Sequence, residues 1–334
     1  MVKLRLAFLG FRHGHVMGLY KSAQQHPRVE VVAAMDEDAT AATAANVSHG
    51  RYDDTIKSSN VDAIAVGDYF GRRGEIIIRA LEANKHVIAD KPICTKFAEL
   101  DRIAPLAAEK RRSVGCLLDL RDHGPYLTMR RLIRDGAIGD VHTVNFTAQH
   151  PLLLGKRPAW YFEEGKHDGT INDIGIHAID AIPWLTGRTI VEATAARAWN
   201  ARVPQFPRFQ DAAQMMLKLD NSGGVLGDLS YLAPDGIGYF ADQYWRIACH
   251  GDSGVIETNY NAKAVTLAVG AEVKTMPTDP GHPTGCLDAF LDEIAGNSRE
   301  GALTTADVLD ATRRTLLIQQ AADENRTNVP LTSA

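Results

Sequence analysis

A chain of 334 residues exceeds what one ordinary hydrophobic core serves, so two domains are expected. Apolar residues make up 45% and charged residues 23%, a globular balance that argues against a disordered chain, and no apolar run approaches the ~18–20 residues of a membrane span. A net charge of −5 provides no broad basic field, so a nucleic-acid partner is not expected. The four cysteines, Cys94, Cys116, Cys249 and Cys286, form no C-x-x-C pair. That spacing argues against a structural zinc site and a disulfide scaffold, and fits reduced thiols in a cytoplasm. Residues 1–9 superficially resemble a leader, but Gly10, Arg12, His13 and His15 break the apolar run and no small-residue cleavage site follows. They are expected to form a first buried strand.

In chain order, the first third alternates short apolar runs with amphipathic ones. Leu4–Leu9, Val29–Ala34, Val61–Val66, His86–Ala89 and Val114–Leu118 predict buried parallel strands. Helices are predicted between them over Val16–Gln25, Asp38–Asn46, Gly74–Ala83 and Phe97–Arg111. Such alternation means a doubly wound parallel sheet with right-handed crossovers. Near residue 120 the rhythm changes. A helix over Tyr126–Arg134 ends at Asp135-Gly136, where glycine suits a left-handed cap. Longer alternating runs follow: Val141–Thr147, Val191–Trp199, Ala212–Leu219, Val225–Tyr231, Tyr244–His250 and Ala264–Val269. Turn signals such as Asp220-Asn221-Ser222-Gly223-Gly224 separate them, predicting an open, mainly antiparallel sheet. Helices are predicted from Asp173 toward Leu185, over Leu287–Ala295 and over Thr305–Glu324. The expected architecture is an α/β domain over residues 1–122 followed by an α+β domain over 123–334. The last helix could pack back on the first domain.

The first strand runs into Gly10-Phe11-Arg12-His13-Gly14-His15 and then a helix. In a dinucleotide fingerprint the first Gly makes the tight turn, the second admits the pyrophosphate, and the third allows close helix–strand packing. Gly10 fits the first position, but Arg12 and His15 stand where the other two glycines belong. Arg12 could swing outward onto a phosphate oxygen, the loop could take another path, or it could be a plain βα turn. Asp36, at the end of the second strand, is placed to accept hydrogen bonds from the adenosine ribose. Glu37 and Asp38 add negative charge that would repel a 2′-phosphate, so NAD is favoured over NADP. These acids could equally serve only the dipole of the next helix.

Ala80-Leu81-Glu82-Ala83-Asn84-Lys85-His86-Val87-Ile88-Ala89-Asp90-Lys91-Pro92 resembles the A-L-E-A-G-K-H-V-L-x-E-K-P segment of the glucose–fructose oxidoreductase/inositol dehydrogenase (Gfo/Idh/MocA) family. Asn84 replaces the usual Gly and Asp90 the usual Glu. Three further segments match in order. Arg121-Asp122-His123-Gly124-Pro125 is similar to an R-x-x-P stretch, and Asp135-Gly136-Ala137-Ile138-Gly139-Asp140-Val141 to E-G-x-I-G-E-V. The run from Gly169 to Asp180 resembles G-G-x-x-x-D-x-G-x-H-x-x-D. The resemblance implies a Rossmann domain, a substrate domain, a homodimer or homotetramer, and no metal.

Asp173, His177 and Asp180 stand at i, i+4 and i+7, on one helix face. Oxidising a secondary alcohol needs a base for the hydroxyl proton, and histidine suits that role. His177 is the candidate base, and Asp173 could orient it or bind a substrate hydroxyl. Asp180 is expected to be structural or to orient substrate. Lys91 follows a parallel strand, where ligands of open sheets bind, and can stabilise negative charge on the substrate oxygen. The resemblance implies that Lys91, Asp173 and His177 form the catalytic set. Cofactor contacts are expected from Gly10, Phe11, Arg12, His13, Asp36, Asp90 and Lys91. Arg121, His123, Arg157 and Trp160 join the catalytic set as candidate substrate contacts, with Tyr161 beside them; Trp160 and Tyr161 could instead pack beneath their loop. The expected activity is hydride transfer between NAD and a ring hydroxyl of a sugar, inositol or polyol. Two alternatives remain: an NAD-assisted lyase or glycoside hydrolase without cofactor turnover, and a non-catalytic dinucleotide sensor.

Overall fold

The computed structural model describes residues 2–332. The chain begins with β1 (Leu4–Leu9), α1 (Gly14–Gln25), β2 (Val29–Asp36), α2 (Ala39–Ala45), β3 (Ser48–His49) and α3 (Tyr52–Ile56). It continues through β4 (Ala63–Val66), α4 (Phe70–Glu82), β5 (His86–Ala89), α5 (Phe97–Lys110) and β6 (Val114–Cys116). After a short 3₁₀ turn come α6 (Gly124–Arg134), β7 (Val141–Pro151), a π-helical turn (Ile171–Gly175) and α7 (Ile176–Thr186). Then follow β8 (Ile190–Trp199), β9 (Ala212–Leu219), β10 (Gly224–Ala233), β11 (Arg246–Gly251), β12 (Gly254–Thr258), β13 (Ala264–Val269) and β14 (Glu272–Pro277). The chain closes with α8 (Gly285–Ile294), α9 (Thr305–Asp323) and β15 (Thr327–Pro330).

Two compact units result. The first comprises residues up to Leu118, Gly165–Asp168 and Thr284–Thr312; the second comprises Asp119–Glu164, Gly169–Pro283 and the chain from Arg313 on. In the first, all neighbouring strands are parallel, in the order β3-β2-β1-β4-β5-β6. The order reverses at β1 and β4, so their carboxyl ends open the crevice where ligands of such sheets bind. Continuous apolar strands such as Ala63–Val66, buried throughout, suit a sheet covered on both faces. Leu6, Phe8, Val16, Ala65 and Ile88 share a core with Leu287, Phe290 and Leu291 of α8. Asn84 takes the left-handed conformation its place in the chain demands, at φ +59°.

The second unit carries a nine-stranded sheet ordered β14-β13-β12-β11-β7-β10-β9-β8-β15. Its neighbours are antiparallel except β7 and β10, which run parallel. Along β9 buried Met215 and Leu217 alternate with exposed Gln214, Met216 and Lys218, so one face is covered and the other open. Sequence periodicity missed β3, β12, β14 and β15 because they are short, or, like β14, almost wholly exposed and without apolar alternation. No helix among the described residues is long and apolar enough to cross a membrane.

Candidate active site

At the carboxyl end of β1 the chain turns at Gly10, with φ +85°. A Cβ there would meet the Asp68 amide nitrogen at 2.5 Å, so only glycine fits. The loop is tied down by Arg12 N–H donating to the Gly67 carbonyl at 2.9 Å, and α1 begins at Gly14. Asp36, at the end of β2, is fully buried. It accepts from the Phe11 N–H (2.9 Å), the Asp38 N–H (2.8 Å), and the Arg12 guanidinium through Nη2 (2.8 Å) and Nε (2.9 and 3.1 Å). Arg12 is thus turned onto Asp36. Glu37 accepts from the Tyr52 N–H at 2.8 Å and pairs with Arg72. Burial opposes its ionisation, but those two donors outweigh it and hold the carboxyl below the usual range.

At the end of β5, Asp90 is buried among four donors. His13 Nδ1 lies 2.7 Å and His15 Nδ1 3.1 Å from its oxygens, Arg73 Nη2 donates at 3.2 Å, and the Lys91 N–H at 2.8 Å. Burial alone would raise its pKa; His13, then Arg73 and His15, overcome that and hold the carboxyl well below the usual range. Arg73 is fully buried and also donates to the carbonyls of Asp68 (2.8 Å), Lys91 and Pro92 (3.3 Å). It clamps the Asp90-Lys91-Pro92 turn, whose Lys91–Pro92 bond is cis. The Lys91 ammonium lies 5.8 Å from the centroid of the Phe70 ring. His13, His15 and Asp90 offer ligand atoms within 4.8 Å of one another. A divalent ion there would share Asp90 with the Arg73 guanidinium, an electrostatic penalty that disfavours it.

Burial, then the neighbouring charge of Arg112, lowers the His86 pKa to about 4 from an ordinary 6.5, and its Nδ1 accepts the Ser113 N–H at 3.0 Å. Burial likewise lowers His13 to about 4, against the attraction of Asp90. Both imidazoles stay neutral in the folded chain while the unfolded chain takes protons below about pH 6.5. Their contribution is complete above that pH and is lost as pH falls toward about 4. The urea midpoint is therefore expected to drop between about pH 7 and about pH 4.5, and to drop less in His86→Gln. An unchanged slope in that variant would remove His86 from the account.

In the second unit Asp173 lies in the π-helical turn that opens α7, a distortion common where function requires it. Its carboxylate accepts a hydrogen bond from the Tyr231 hydroxyl of β10. His177 is 4% exposed, its ring 5.0 Å from that of Trp245 and its Nδ1 3.7 Å from an Asp119 oxygen. Arg121 meets Asp180 in a buried bidentate pair at 2.6 and 2.8 Å. Two guanidinium nitrogens of Arg121, expected at substrate, thus lie on Asp180. Arg157 donates to the carbonyls of Leu152 (2.8 Å) and Pro151 (2.9 Å) and lies over the rings of Tyr161 and Tyr231 at 4.6 and 4.9 Å. Trp160 is buried against Tyr161. The His123 imidazole stacks on Tyr260 with centroids 4.0 Å apart, and its Nε2 lies 2.6 Å from the Tyr260 carbonyl. His123 also lines a cleft of about 550 Å³ with Asp119, Lys263 and Asp279.

Sequence reasoning missed Arg73, Asp119, Tyr231 and Trp245. A signal existed for Arg73 alone: it falls on the apolar face of α4 between Phe70 and Ile76-Ile77, where a charge needs a buried partner.

A parallel sheet of this order, with a glycine turn at its switch point, defines a Rossmann-type nucleotide domain. The family model described as an oxidoreductase family, NAD-binding Rossmann fold, matches residues 4–116, and that of the GFO/IDH/MocA C-terminal domain matches residues 126–257. The chain belongs to the Gfo/Idh/MocA oxidoreductase family. It is 28% identical over 283 residues to inositol 2-dehydrogenase 2 of Saccharopolyspora erythraea, covering 82% of this chain and 78% of that protein. It is 27% identical over 150 residues to the scyllo-inositol 2-dehydrogenase (NADP(+)) of Bacillus subtilis, covering 44% and 41%. The aldose-aldose oxidoreductase from Caulobacter crescentus, solved with glycerol, shares the fold with a TM-score of 0.80 at 21% identity, covering 98% of this chain and 99% of that one.

Proposed function

We propose that this chain is an NAD-dependent dehydrogenase acting on a ring hydroxyl of an inositol, a monosaccharide or a related polyol. What carries the reading is the joint presence, in a chain of this oxidoreductase family, of Lys91 at the end of β5 and of buried Asp173 and His177 at the start of α7. Gly10, Phe11, His13, Asp36, Asp90 and Lys91 would hold the dinucleotide, with Arg12 beside them on Asp36. The tight glycine turn at the switch point fits such a group, because no side chain at position 10 could let the loop close on Asp68. When bound, the nicotinamide supplies a two-electron acceptor.

The protein groups do the rest. His177 takes the hydroxyl proton. Asp173, held by Tyr231, orients a substrate hydroxyl and favours positive charge beside it. Lys91 donates to the reacting oxygen and stabilises its developing negative charge. Arg121, His123, Arg157 and Trp160 shape the substrate end; Arg157 and Trp160 act through the aromatic surface formed with Tyr161 and Tyr231. The four free cysteines suit a reducing compartment, and a cytoplasmic location goes with the proposal.

A homodimer or homotetramer is part of the same reading. Met216 and Leu226 pair across the β9–β10 ladder and are 49% and 53% exposed on the open face of the sheet. They line a groove of that face together with Ala195 and Ala196, and a contiguous apolar surface of this kind supports association. Light scattering is expected to give the mass of two or four chains.

The function is tested by titrating the protein with NAD and NADP, then screening inositols, aldoses and polyols for reduced-nicotinamide absorbance. NAD binding with reduction on a cyclic polyol or sugar is expected. Product formation without an absorbance change would point to the lyase or hydrolase reading. Nucleotide binding with no turnover on any substrate would favour the sensor.

A further inference from the structure

We propose that Arg12 is a plug at the adenosine end of the cofactor site: its ion pair with Asp36 must be displaced by the cofactor's ribose hydroxyls, so Arg12 weakens NAD binding. This rests on the NAD-dependent reading above and adds to it a residue that sets affinity and cofactor choice.

The argument begins with the acceptor. A carboxylate offers about four lone-pair positions. On Asp36, Oδ1 receives Arg12 Nη2 at 2.8 Å, Arg12 Nε at 3.1 Å and the Asp38 N–H at 2.8 Å; Oδ2 receives the Phe11 N–H at 2.9 Å and Arg12 Nε at 2.9 Å. The side chain is wholly buried beneath these donors. A ribose hydroxyl therefore gains this carboxylate only by removing a donor. The Phe11 and Asp38 donors are backbone groups built into the turn and the helix entry. Only the Arg12 side chain can leave.

The position of Arg12 gives the second part. It occupies the second fingerprint position, where a glycine has no side chain to reach from the β1 turn to the end of β2. Here a guanidinium reaches across to the acceptor, its side chain 16% exposed. The bidentate guanidinium–carboxylate pair is ionised on both sides, whereas a ribose hydroxyl brings only a neutral donor to the same carboxylate, so displacement gives up an ion pair. The opposing charge also discriminates between cofactors. With Arg12 removed, Asp36 keeps its two backbone donors but no counter-charge, and with Asp38 two residues on it welcomes hydroxyls and repels a phosphate. The nearby Arg72 cannot compensate, because its guanidinium is held by Glu37 and by Asp68 at 3.2 Å.

Calorimetric titration of the full chain with NAD and with NADP tests this on the wild type, Arg12→Gly and Arg12→Lys, with a thermal melt of each. Arg12→Gly is expected to tighten NAD about tenfold or more, and to leave NADP unchanged or weaker. Arg12→Lys, which keeps the charge but loses the fork, is expected to give a smaller gain in the same direction; it carries the test should the glycine variant melt without a cooperative transition. Asp36→Ala added to either variant should abolish the gain. Unchanged or weaker NAD binding in the Arg12 variants overturns the plug, and weaker binding would mean that Arg12 holds a phosphate. If the wild type and folded variants all bind neither dinucleotide, the dehydrogenase reading itself falls, and the plug with it.

Discussion

His177→Ala is expected to lower kcat by about 10²- to 10⁴-fold, the range a positioned general base contributes. KM for the polyol and the affinity for NAD should change little, because the imidazole acts on the proton that leaves in the transition state. Equal falls in kcat and kcat/KM are the signature of such a residue. His177 is suited to the role by confinement: it is 4% exposed and its ring lies across that of Trp245 at 5.0 Å. Its Nδ1 lies 3.7 Å from an oxygen of Asp119, itself half-exposed, so a carboxylate stands near enough to favour the imidazolium formed in the forward reaction. Steady-state kinetics with the substrate found in the polyol screen would check this. Loss of less than tenfold in kcat, in a variant with an unchanged melt, would remove His177 from proton transfer.

Arg73→Met should be the most destabilising single change in the nucleotide unit. The guanidinium is wholly buried and meets Asp90 together with the carbonyls of Asp68, Lys91 and Pro92. Removing it leaves a buried carboxylate short of its guanidinium partner and three carbonyls short of a donor. Breaking a buried pair from one side costs about 3–5 kcal/mol, which corresponds to a fall in melting temperature of about 10 °C. Arg73→Lys should not rescue it, because one ammonium cannot span acceptors that a planar fork reaches at once. The Lys91 carbonyl is among those acceptors, so the turn carrying this candidate catalytic amine should loosen and kcat should fall together with stability. Differential scanning calorimetry on both variants checks this. A change of less than about 2 °C would show that Asp90 and its two imidazoles hold the turn without Arg73.

The parallel and mainly antiparallel sheets were legible because periodicity is local: a buried parallel strand is an apolar run and a half-covered strand alternates. β1, β5, β9 and β13 begin and end at the residues the pattern indicates. Lys91, Asp173 and His177 were legible as candidates because each stands inside a short ordered motif. Within α7 the spacing reading held only in part. His177 and Asp180 lie in regular helix, while Asp173 falls in the π turn, a distortion that residue spacing does not reveal.

By itself, then, the sequence determined the two kinds of sheet, the family and the identity of the candidate catalytic side chains. The tertiary structure alone decided their partners. Arg12 meets Asp36 across 24 residues, Arg73 meets Asp90 across 17, and Tyr231 meets Asp173 across 58. Helix α8 fills the core beneath β1 and β5, although it follows β14 in the chain. An amphipathic pattern states that a face will be buried and a charge states that it needs a counterpart, but neither names the partner. That choice is made by chain crossovers and packing, which brought Arg12 of the β1 turn onto Asp36 at the end of β2.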